Sequence, residues 1–363
     1  VLVVWCGVAI VLAACWLLKD PPILHQWLLT DLPPWFLDQW GRLGVVGFGL
    51  SALAAFYLML AVHELGHVAA GLFVGFRCRS LRVGPLLFTH PFRASLYRGP
   101  GAVVNGAAEL IPVATDKLVW RGMAMVLGGP VANILSALVV LLLPFPITVF
   151  SGMFIACSVA NGVNDLLPFE SRLGVSDGRR IWTLLWQPER GERFLALLRL
   201  GGELNDGVLP ESLSPDFLAK AIAVQDASAD TVNANAIAYF AAFHQHKDSI
   251  AGQRLETSLA YSGHATPVLR EALMSDAAVF QGRRRKRTDL ADQWLAEIPI
   301  KTQHPWFRSR AEAAILESKG AVDGALGKLA EVEAAMLTLP KNAQRDTSLR
   351  LLERWKSELC RQK

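Results

Sequence analysis

Residues 43–76 form a run of 34 residues in which the only Asp, Glu, His, Lys or Arg side chains are the three of HELGH at 63–67. A straight helix of that length would reach about 51 Å at 1.5 Å per residue, against roughly 30 Å of hydrocarbon in a bilayer. The run must therefore tilt, break or protrude. Ionisable groups in such a run are costly and mark function. Hydrophobic residues make up 52% of the chain and charged residues 19%. That is too apolar for an ordinary soluble enzyme, and the apolarity is concentrated before residue 166.

Three further stretches qualify or nearly qualify as spans: 1–18, 122–143 and 147–168. Only PFP separates the last two, a tight turn in which Pro ends one helix and opens the next. Basic residues follow the second span (Arg77, Arg79, Arg82, Arg93, Arg98, Lys117, Arg121) and the fourth (Arg172, Arg179, Arg180, Arg190). The loop at 19–42 holds Lys19 and Arg42 against Asp20, Asp31 and Asp38. By the positive-inside rule the N-terminus and everything after the fourth span face the cytoplasm, and 19–42 lies outside. The Trp residues near 27–40 then form an outer aromatic belt. The five cysteines are scattered without CxxC spacing and read as reduced thiols.

Between the second and third spans, RCRSLRVGPLLF and RASLYRG alternate and are broken by Gly and Pro, which predicts a small β-hairpin or sheet at the interface. From about Arg190 onward, short segments with helical periodicity end near Gly or Pro. The expected organisation is a transmembrane domain at 1–185 and a cytosolic all-α domain, with tetratricopeptide-like helix pairs, at 186–363. The net charge of +4 makes no case for nucleic acid as a partner. GRRRKR at 282–287 resembles a nuclear-import patch, with a solvated or anionic-lipid-facing surface as the other reading. His244 and His246 in HQH have metal-binding chemistry but read as exposed helical positions.

On a helix, His63 and His67 share one face, and two neutral imidazoles at that spacing can bind one Zn²⁺. Glu64 then lies beside the open position, where it can take a proton from water. Gly66 is expected to leave space next to the metal face. A catalytic zinc site needs a third protein ligand. The extended HExxHxxGxxH motif is excluded, because Phe73–Val74 stand where its last His would be. Asp177 in Ser-Asp-Gly, just past the fourth span, is the better candidate. Asn161 and Asn164 precede it, and an Asn within a membrane needs a partner; near a metal, two of them could bind a substrate backbone or hold a carbonyl oxygen.

These stretches together (HELGH at 63–67, GGPVAN at 128–133 and NDLLPF…SDG at 164–178) resemble the site-2 protease family of intramembrane zinc metalloproteases. The resemblance implies that His63, His67 and Asp177 ligate zinc, that Glu64 is the general base, and that Asn164 and Asn133 help position substrate. It implies a membrane-associated sheet at 77–100 that receives an unwound substrate helix. It also implies multi-pass insertion, as in a bacterial inner membrane, and membrane-anchored substrates such as anti-sigma factors or signal-peptide remnants. The helical domain would bind a protein partner or gate access. Three departures stand out: Ser176 replaces the usual Leu before Asp-Gly, the gap before Asp177 is longer, and Asp165 follows Asn164. Asp165 is therefore a rival third ligand. The competing functions are a non-proteolytic zinc-binding membrane scaffold and a transporter component.

Overall fold

A computed structural model describes residues 34–361 except 90–92, 99–101, 145, 172–173, 302–303 and 340. The expected first span at 1–18 and most of the expected aromatic belt lie outside the described residues or side chains. The chain divides into two compact units, one ending at Pro188 and the other beginning at Glu189.

In the first unit, helix α1 (Pro34–Phe73) is interrupted at Gly44, whose φ of 61° and ψ of −179° are not helical. The long apolar run thus breaks near its start, at a residue whose missing Cβ makes positive φ inexpensive. The part long and apolar enough to cross a membrane is Val46–Phe73. Helices α2 (Leu118–Leu142) and α3 (Val149–Leu166) qualify as well, which makes three candidate spans among the described residues. The three helices pack on one another. Their core includes Ala55, Phe56, Met59, Leu60 and Phe154. Their outer faces remain apolar, with Leu50, Leu72, Leu135, Val139, Leu142 and Val163 all more than half exposed. A water-facing bundle would carry polar residues there.

The predicted strands form a four-stranded antiparallel sheet in the order β3-β2-β1-β4, built from β1 (Phe76–Val83), β2 (Leu86–Thr89), β3 (Arg93–Leu96) and β4 (Gly106–Pro112). Strand β1 leaves α1 through Gly75 at φ 87°. Both β1 and β4 pack against α1, so β4 is an edge strand lying on the HELGH helix. After α3, the short strands β5 (Glu170–Ser171) and β6 (Gly174–Val175) pair into a miniature hairpin. That hairpin is the extra length expected before Asp177. Ser176 then caps α4 (Asp177–Trp186), its hydroxyl accepting from Arg179 N–H at 3.2 Å and donating to the Leu167 carbonyl at 2.7 Å. Ser176, one of the departures from the resemblance, is thus an N-cap that ties the helix back to the end of α3.

The second unit is helical among its described residues: α5 (Pro188–Asn205), α6 (Pro215–Ile222), α7 (Ala229–His244), α8 (Asp248–Ala260), α9 (Pro267–Val279), α10 (Thr288–Glu297), α11 (Trp306–Ser318), α12 (Val322–Leu337) and α13 (Ala343–Cys360). Neighbours in sequence pack together, α7 on α8, α9 on α10, α11 on α12 and α12 on α13. Tyr239, Leu273, Phe280, Leu329 and Leu359 are buried in its core.

The basic run GRRRKR falls on a single π-turn, Phe280–Arg284, and the residues after it. Arg283 and Arg284 are half-buried and engaged within the unit, whereas Arg285, Lys286 and Arg287 are exposed. Arg283 pairs with Glu317 and Glu358 and lies 4.2 Å over the Trp355 ring. Arg284 donates to the Phe243 carbonyl, Lys286 lies 3.5 Å from Glu317, and Arg287 pairs with Asp289. His246 contacts Arg284 at 2.8 Å. His244 is half-buried, its ring edge-on to Phe240 and Phe243.

Candidate metal centre

The site begins with the contact of two helices. A methyl placed on Gly66 would lie 2.3 Å from the Gly128 carbonyl oxygen, and one on Gly128 would lie 2.4 Å from that of Gly66. Only paired glycines let α1 and α2 approach backbone to backbone. Gly66 therefore opens the helix crossing, next to the metal face. Space on the metal face comes from Gly129, where a methyl would lie 2.3 Å from His67 Nε2 and 2.8 Å from His63 Nε2.

One helical turn apart, His63 and His67 bring their Nε2 atoms to 3.1 Å. Asp177, first residue of α4, places Oδ2 at 3.3 Å from His63 Nε2 and 3.2 Å from His67 Nε2. Tetrahedral ligands at bond lengths of about 2.0–2.1 Å lie about 3.3–3.5 Å from one another. The three atoms thus have nearly the spacing a single bound ion imposes, and Asp177 Oδ2 is buried without a hydrogen-bond partner. They are the one group of this kind among the described residues. The donor set, two imidazoles and a carboxylate, suits zinc.

The backs of the imidazoles face α2 and α3. His67 Nδ1 lies 2.9 Å from the Met125 carbonyl oxygen, so its N–H donates there and Nε2 keeps its lone pair. His63 Nδ1 faces the Asn133 amide nitrogen at 3.3 Å and that of Asn161 at 3.5 Å. Asn161 also donates to Asp165 Oδ2 at 2.7 Å, one turn further along α3. Asp165 Oδ2 is 3.7 Å from His63 Nε2 and is not part of the three-atom group. Asn164 lies about 100° around the helix from Asp165. Among the described residues its side chain hydrogen-bonds to none of the three candidate ligands. Of the three predicted Asn residues, the structure brings Asn133 and Asn161 to the site.

Glu64 is buried, with His67, His63, Asp177 and Arg82 as the ionisable groups around it. Its carboxylate lies under the start of β4: a methyl on Gly106 would fall 2.2 Å from Glu64 Oε1. Arg82 of β1 holds that segment down, donating to the carbonyls of Asn105 at 2.9 Å and Gly106 at 3.2 Å. Its guanidinium stacks 4.6 Å from the Tyr97 ring centroid. Neither Arg82 nor Gly106 is singled out by the sequence. The one available signal is a glycine opening a strand, where the lack of a side chain usually marks a close approach.

The family model described as Peptidase family M50 matches residues 51–251, more than half of the chain, including all of these residues. The chain belongs to that family, the site-2 protease family, and is a membrane metallopeptidase. No curated protein and no solved structure matches it.

Proposed function

We propose that this member of peptidase family M50 is a zinc-dependent endopeptidase that cleaves membrane-anchored proteins within or beside a transmembrane segment. The observation that carries the reading is the triangle of donor atoms from His63, His67 and Asp177, 3.1–3.3 Å on a side, on a helix that also carries Glu64. Zinc, when bound, polarises a scissile carbonyl and lowers the pKa of water. His63, His67 and Asp177 hold the ion, and Glu64 accepts a proton and returns it to the leaving amine. Burial of His63, Glu64 and His67, with Asp177 half-buried beside them, restricts the access of bulk water to this chemistry. Strand β4, with its outer edge beginning over Glu64, offers main-chain pairing to an unwound substrate segment and would lead it past the base.

In this reading the chain crosses the membrane four times, counting residues 1–18, and lies in a bacterial inner membrane with the helical unit in the cytoplasm. The paired helices of that unit act as a tetratricopeptide-like surface for a regulator or substrate. Anti-sigma factors and signal-peptide remnants are the substrate class the family suggests. A non-catalytic zinc scaffold fits less well, since a structural site has no use for a buried carboxylate next to its ligands. The test is cleavage of membrane-protein substrates by the zinc-loaded, reconstituted protein against Glu64→Gln. Cleavage by the wild type alone is expected. Equal cleavage by both, or none by either with zinc bound, would sink the reading.

A further inference from the structure

Asn133 sits fully buried on α2, at 0% exposure, with its amide against the back of His63 and its Oδ1 without a partner. A residue so enclosed has no route to substrate. To hold an ion, His63 must present the lone pair of Nε2 toward Asp177 and His67, which puts its one ring proton on Nδ1. That proton needs an acceptor. Two amides face it. Asn161 is committed, because its nitrogen is tied to Asp165 at 2.7 Å. Asn133 is free to turn its amide over, a change that exchanges Oδ1 and Nδ2 without altering shape.

We propose that Asn133 is a positioning residue of the metal centre, its Oδ1 accepting the hydrogen bond from His63 Nδ1–H and so aiming Nε2 at the ion. The role is the counterpart of the Met125 carbonyl behind His67. Helix α2 runs antiparallel past α1 at the Gly66–Gly128 crossing, so its earlier residue meets the later histidine and its later residue the earlier one. One helix thus supplies both acceptors, one from the backbone and one from a side chain. In metal sites such outer partners set ring orientation and ligand basicity.

The inference rests on the metallopeptidase reading, and the experiment separates the two. Zinc affinity of the full-length, detergent-solubilised protein is measured by chelator competition for wild type, Asn133→Asp, Asn133→Leu and Asn133→Ala. The visible spectrum of the Co²⁺ form serves as a second readout, with KM measured in parallel. Asp keeps an acceptor and holds zinc within a few-fold of wild type. Leu, close in shape but with no acceptor, loses about 10–100-fold, and Ala loses as much should Leu fail to fold. Wild-type zinc affinity in Asn133→Leu or Asn133→Ala, with KM raised in every variant, would return Asn133 to the substrate and overturn the proposal. Failure of the wild type to bind zinc would remove the metallopeptidase reading itself.

Discussion

In the helical unit, the buried Glu317 meets Arg283 at 3.0 Å and the Trp355 N–H at 2.7 Å. Arg193, only 3% exposed, reaches Asp226 and the Thr231 hydroxyl, and Arg310 pairs with Asp276. In the first unit, the two buried histidines of HELGH and the half-buried Asp177 meet one another instead: two imidazole nitrogens and a carboxylate oxygen within 3.3 Å, with no guanidinium or ammonium among them. Both regions bury ionisable side chains, so burial does not distinguish them. The sign of the neighbours does. The helical unit closes its charges into self-sufficient pairs, whereas the metal centre gathers acceptors and leaves the cation to come from outside.

Four substitutions would break or sharpen that contrast. The largest effect belongs to Asp177→Ala, which removes one corner of the acceptor triangle. Zinc affinity should fall by about a thousandfold or more, beyond the 10–100-fold that outer partners contribute. Asp165→Ala should stay inside that smaller range. Loss of zinc in the second variant with retention in the first, by metal analysis after dialysis, would exchange the two roles. Next, Glu317→Gln leaves Arg283 without its closest buried carboxylate and should destabilise the helical unit by about 3–5 kcal/mol, read from denaturant unfolding. Its zinc affinity should match the wild type. A smaller effect is expected from Gly129→Ala, whose methyl must displace the His67 ring. Overpacking of this kind costs about 1–3 kcal/mol, and here it should appear as weaker metal binding.

A last expectation concerns pH. Burial lowers His244 from 6.5 to about 4. Its contribution to stability is therefore complete above pH 6.5, where the folded and unfolded chains are both neutral at this site. Between pH 6.5 and 4 the unfolded chain takes up a proton that the folded one refuses, and stability falls by at most about 1.4 kcal/mol per pH unit. His244→Phe should flatten that slope in hydrogen-exchange protection of α7.

Much of the site was legible because its chemistry is written in local spacing. HELGH needs only a helix to bring His63 and His67 to one face, and Ser-Asp-Gly needs only a helix start. The sheet was legible from alternation broken by Gly and Pro. Less was legible where the answer depends on rotation of one helix against another. Asn164 and Asp165 are adjacent in sequence, and a difference of about 100° around α3 puts one at His63 and the other off it. The basic run was legible only in part for a related reason, since composition cannot reveal that a π-turn directs Arg283 onto Trp355 while Arg285, Lys286 and Arg287 stay exposed. Asn133 was legible within GGPVAN, but its burial behind His63 was not, because that depends on the α1–α2 crossing.

That crossing bears on how such a site can change over time. Gly66 and Gly128 touch through backbone, so what holds the two histidine-bearing and acceptor-bearing helices in register is a pair of missing methyl groups. A lost salt bridge can be restored by a new charge nearby, and a cavity can be filled from several directions. An atom that must be absent has no substitute. Among suppressors of Gly66→Ala, reversion should therefore be recovered far more often than compensation within α2, and the two positions should behave as a single inherited unit.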